Sequence, residues 1–171
     1  MLTIESLNAD KPLYAFLAIG FAEKTLSIWE RKYPEDMRPR KAIEAAKEWL
    51  KNPSDVAAAH AAYAAHAANT ASAASAASAA AHAANAAANA AANVAAAHAA
   101  AAYAAHAAAY AAYALDVDEK SLIHEVILEN LDWILQYKIE NGQSFAQPEL
   151  ILGYLGEEKK QSFLFNLDAV A

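Results

Sequence analysis

The sequence predicts an all-α protein, a compact multi-helix bundle of about five to seven helices with closely packed Ala-rich helices at its centre. Three observations predict it. Apolar residues recur at helical spacing in both the N-terminal and C-terminal parts of the chain. Residues 56–115 hold forty alanines and no Gly or Pro, and alanine is the strongest helix former. Pro, Asn and Gly fall where helices would begin or stop. The 171 residues suit a single all-helical domain, 1–171, in three parts: N-terminal helices (1–55), Ala-rich uncharged helices (56–115) and acidic C-terminal helices (116–171).

The first helix is expected over residues 11–32. Leu13, Leu17, Phe21 and Ile28 form its apolar stripe, widened by Tyr14, Phe16 and Trp29. Asp10 suits the N-cap, Pro12 the first turn, and Tyr33-Pro34 the end. Asp36 is expected to cap a second helix to about Lys51, burying Ala42, Ile43, Ala46 and Leu50 with Trp49 beside them. Asn52, Pro53 and Asp55 are then expected as cap, first helical residue and first-turn acid of the next helix.

A single helix over 56–115 would be about 90 Å long, far beyond the radius of about 15–16 Å expected of a compact chain of this length. The segment is therefore expected to fold back, with breaks at residues 69–72 and near Asn93. Ser75, Ser78, His82, Asn85, Asn89 and Asn93 share one face, expected to meet water. Tyr103, His106, Tyr110 and Tyr113 share another, expected to pack on the Trp-bearing helices. Alanine faces allow close helix approach. A further helix is expected from Asp116 and Asp118 to Asn141-Gly142, with Ile123, Ile127, Leu131 and Ile134 as its apolar stripe. A short helix near 148–155 and an element near 161–167 complete the chain.

Composition excludes several classes. The chain has no cysteine, so disulfides and thiolate zinc sites are absent. Its net charge of −7 argues against a general nucleic-acid binder. Residues 1–55 carry nine basic and nine acidic side chains, 56–115 none, and 116–171 four basic and eleven acidic. The whole excess of negative charge is C-terminal. His and Asn among weakly apolar alanines argue against a membrane span. No basic n-region followed by an apolar stretch is seen, and a cytoplasmic protein is expected.

His60, His66, His82, His98, His106 and His124 are never three or four apart, the spacing a helical two-ligand site needs, and no H-E-x-x-H occurs. Ser72, Ser75 and Ser78 lack a nucleophile elbow. No metal, cofactor or catalytic residue is assigned, and the chain is expected not to be an enzyme. The candidate functional residues are charged. Glu125, Glu129 and Asp132 form an acidic ridge able to steer a basic protein partner. Arg38 and Arg40, with Lys41, cluster at a helix N-terminus, where the helix dipole disfavours cations. They are expected to pair with the acidic C-terminal half or, alternatively, to contact a ligand.

The run Tyr33-Pro34-Glu35-Asp36-Met37-Arg38-Pro39-Arg40-Lys41-Ala42-Ile43-Glu44-Ala45-Ala46-Lys47-Glu48-Trp49-Leu50 resembles the signature of bacterial immunity proteins of polymorphic-toxin systems. The likeness extends to Ala22-Glu23, Trp29-Glu30, His98, His106, Tyr113-Ala114-Leu115 and the segment around Trp133, about residues 14–138. The chain differs from the family pattern in lacking charges within its Ala-rich helices. The resemblance implies a non-enzymatic protein that binds one cognate protein toxin through a preformed helical surface; a monomer or homodimer is expected. The competing reading, from the Ser75–Asn93 stripe, is an antifreeze-like ice-binding protein. A structural or self-associating helical protein is the third.

Overall fold

The structure is a computed structural model that describes residues 1–55, 57, 58, 61, 82, 83, 85–89, 97–157, 159 and 160. It is all-α, with no strand among the described residues. The expected breaks at 69–72 and near Asn93, the stripe residues Ser75, Ser78 and Asn93, the histidines His60 and His66, and the element near 161–167 lie outside them. Two compact units divide the chain. One is Asp10–Leu122; the other joins Met1–Ala9 to Ile123–Ala171.

The larger unit begins with α1 (Lys11–Lys32), whose start and end are those expected. The Asp10 carboxylate accepts from the Leu13 N–H at 3.1 Å and Pro12 lies in the first turn. Tyr33 is the C-cap. Leu13, Leu17, Phe21 and Trp29 are buried, and so are the small residues Ala15, Ala18 and Ala22. The Trp29 indole N–H donates to the Asp36 carbonyl at 2.9 Å and its ring lies 4.6 Å from that of Tyr33. One aromatic side chain thus closes the turn into α2 (Arg38–Lys51).

Two caps differ from expectation. The N-cap of α2 is Met37, not Asp36. Asp36, one residue earlier, accepts from both the Arg38 backbone N–H and the Arg38 guanidinium. The carboxylate thus meets the helix start at the first helical residue, where one charge-assisted backbone bond is joined by the guanidinium of the same residue. Asn52 is the C-cap of α2 rather than the N-cap of the next helix. Ser54 holds that cap: its hydroxyl accepts from the Ala57 N–H at 3.1 Å. Pro53 consequently lies outside the helix.

Helix α3 (Ala97–Leu115) packs on α1, as does α2. Its buried face is Ala100, Ala104, Ala107, Ala108, Ala111 and Ala112. Of the Tyr/His stripe expected to pack inward, Tyr103 is half-buried and the other three residues are turned out instead. Tyr110 and Tyr113 are 41% and 72% exposed, and His106 is also exposed. Small side chains let two helix backbones come close, which large rings on that face would prevent. The ring of His82 lies 5.1 Å from that of Tyr110. Asn85 and Asn89 are half-buried and bonded to each other.

Helix α4 (Glu119–Glu129) crosses from one unit to the other. Asp118 accepts from the Ser121 N–H at 2.8 Å and its hydroxyl at 2.9 Å. The long helix expected to reach Asn141 is broken at Asn130, and α5 (Leu131–Glu140) follows. The Asn130 side-chain amide donates to the Val126 carbonyl at 2.8 Å, the local competition with backbone bonding that asparagine offers within a helix. Ile127, Leu131 and Ile134 are buried across the break. Gly142 follows α5 at φ +59°, the left-handed stop expected there. Helix α6 is short (Pro148–Leu152).

In this smaller unit the N-terminal residues are bonded to residues far along the chain. The Leu2 N–H donates to His124 Nδ1 at 3.1 Å, and the Gln147 N–H donates to the Ser6 carbonyl at 3.3 Å. Lys138 is 1% exposed and its Nζ donates to the carbonyls of Asn8 (2.6 Å) and Ser144 (3.1 Å). Asn8 takes a left-handed conformation, φ +47°, which asparagine tolerates better than most residues.

Candidate functional site

The acidic ridge is divided by the break at Asn130. Glu125 and Glu129 lie on α4 and Asp132 on α5, all exposed. Glu129 and Asp132 border one half-open cleft of about 600 Å³ in the smaller unit; Glu125 lies one turn before it and does not line it. Buried Leu131 and Leu155 form the floor. Leu128 and Tyr154, 42% and 36% exposed, stand at the rim. Glu157 and Lys159 complete the far side.

The cleft's charges are partly paired. Lys159 Nζ donates to Asp132 at 2.5 Å, and Lys160 Nζ to Glu157 at 2.7 Å. The Asp132 side chain is 75% exposed, so this ion pair contributes about 0–1 kcal/mol and exchanges readily for another cation.

Arg38 and Arg40 have a different setting, in the larger unit. Among the described residues the pairs seen are local, rather than the expected ones with the acidic C-terminal half. Arg38 pairs with Asp36, and Arg40 with Glu30 through Nε at 2.6 Å. The Arg38 guanidinium holds the Asp36 carboxyl below its ordinary range, and Asp36 in turn pushes Arg38 up. Lys47 likewise reaches back from α2 to Glu23 of α1. Lys11 Nζ lies 4.2 Å above the Trp49 ring, and burial lowers its pKa while Asp55 opposes the shift. These contacts hold α2 against α1.

Leu128, Tyr154, Glu157 and Lys159 were not among the expected site residues. One signal existed. Leu128 falls outside the stripe of Ile123, Ile127, Leu131 and Ile134, so an apolar residue was being placed off the core face. Among the described residues no group of three or more His, Asp or Glu could hold a metal ion. Among them, too, no helix is long and apolar enough to cross a membrane.

The geometry is that of a helical scaffold presenting an acidic cleft. A family model described as Imm-5 like putative immunity protein matches residues 8–140, and the chain belongs to that family. The match takes in α1 to α5, and with them Leu128, Glu129 and Asp132; the side of the cleft formed by residues 154–157 and 159 lies beyond it. No curated protein and no solved structure matches the chain. Membership of an immunity-protein family associates the chain with toxin neutralisation in general, a task that such proteins generally perform without catalysis.

Proposed function

We propose that this protein binds one cognate protein toxin and blocks it by occupying its surface, in the cytoplasm, without chemistry of its own. The observation that carries this reading is the family match over residues 8–140. The acidic exposed face adds to it. A helical surface formed before binding loses little conformational entropy on association, and concentrated negative charge speeds encounter with a basic toxin. Glu125, Glu129 and Asp132 are the candidate contacts, with Arg38 and Arg40 of α2 as a separate candidate patch. The protein acts as a monomer or homodimer.

Co-expression with the toxin tests the reading: cells carrying the protein survive and cells lacking it do not. Reversing Glu125, Glu129 and Asp132 to Lys is expected to slow association tenfold or more at low salt, with a smaller effect at high salt. Unchanged association and affinity would remove these residues from the interface.

A further inference from the structure

From the cleft that α4 and α5 form with residues 154–157 and 159, we infer that the partner is gripped by a short basic segment of its chain carrying a large apolar side chain. This inference rests on the toxin-binding reading and specifies which part of the partner is held.

Charge complementarity selects the occupant. The unit formed by residues 1–9 and 123–171 has nine acidic and three basic side chains, net −6. One of the three, Lys138, is buried and spent on two backbone carbonyls. The other two, Lys159 and Lys160, are paired with Asp132 and Glu157. Three carboxylates, those of Glu129, Asp132 and Glu157, thus line the cleft with Lys159 as the cation beside them. An arginine or lysine of the partner can take over Asp132, because the exposed pair it displaces is weak.

The apolar part of the occupant follows from the walls. Leu128 and Tyr154 are large and exposed at the rim, above a floor of Leu131 and Leu155. A leucine-sized or aromatic side chain would cover all four. Tyrosine at such a position is a frequent anchor of protein interfaces, and a cleft of about 600 Å³ admits a few side chains, not a domain.

The test pans the full chain against a phage-displayed library of random twelve-residue peptides. Selected peptides are then synthesised and their affinities read by fluorescence anisotropy. Enriched peptides are expected to be net positive with at least one large apolar residue. Their affinity is expected to fall at least tenfold for Glu129→Lys/Asp132→Lys and for Leu128→Ser. It should fall less than threefold for Glu140→Lys/Glu149→Lys, which changes the unit's charge equally away from the cleft. Circular dichroism confirms that each variant is folded.

Neutral or acidic consensus peptides overturn the inference, as does equal loss in the two charge variants. So does self-association of the chain that the cleft substitutions abolish, since the occupant is then a second copy. Toxin protection in cells is read separately. Protection unaffected by the cleft variants defeats this inference and leaves the toxin reading standing. Cleft-dependent peptide binding without protection defeats the toxin reading alone.

Discussion

Lys138 shows how a charged residue is kept inside. Its Nζ is held by two carbonyls, those of Asn8 and Ser144, and lies 5.4 Å from the centre of the Phe145 ring. Lys138→Met keeps most of the apolar stem but leaves both carbonyls without this donor, an expected loss of about 1–3 kcal/mol in urea unfolding. Two carboxylates at helix starts contribute to the acid sensitivity. Asp118 is held below its ordinary pKa by the N–H and hydroxyl of Ser121, and Asp36 by Arg38. A carboxylate with a depressed folded-state pKa contributes stability that is full above the unfolded value of about 3.9 and lost as pH falls through the folded one. Stability is therefore expected to fall below about pH 4. In Asp118→Asn the difference between the urea midpoints at pH 7 and pH 3 is expected to shrink.

At the scale of elements, α3 owes its seat on α1 to the absence of side-chain bulk. Ala107→Leu, on the buried face, is expected to destabilise by about 1–3 kcal/mol through overpacking. Ala105→Leu, on the exposed face, should change thermal stability little. The same helix marks where sequence patterns are legible. The limits of α1 could be read because Asp10, Pro12 and Tyr33-Pro34 act locally. The outward Tyr/His stripe could not, since hydropathy ranks rings above alanine and says nothing of how near two backbones must come. The break at Asn130 was hidden for a related reason: Ile127, Leu131 and Ile134 keep one spacing through it and stay buried on both sides. Glu129 and Asp132 were readable as an acidic ridge. The cleft they border was not, because Leu128 and Tyr154 are brought together by packing across 26 positions of chain.

At the scale of the whole molecule, the smaller unit is assembled from both ends of the described chain. Removing residues 1–9 would take away the partners of His124 and Gln147 and one of the two carbonyls that hold Lys138. Hydrogen exchange is expected to accelerate at least tenfold in α5 on that deletion and to stay near wild type in α1 and α2. Equal acceleration throughout would show that the two units lose structure together. The arrangement also gives the molecule a history during synthesis. At about 5–20 residues per second, roughly 6–26 s separate the making of Asn8 from that of Lys138. Over that interval the first nine residues leave the ribosome without the partners they will hold. The acidic cleft is accordingly a late product of translation, and a nascent chain stalled before Tyr154 would carry α1 to α3 but not the completed cleft.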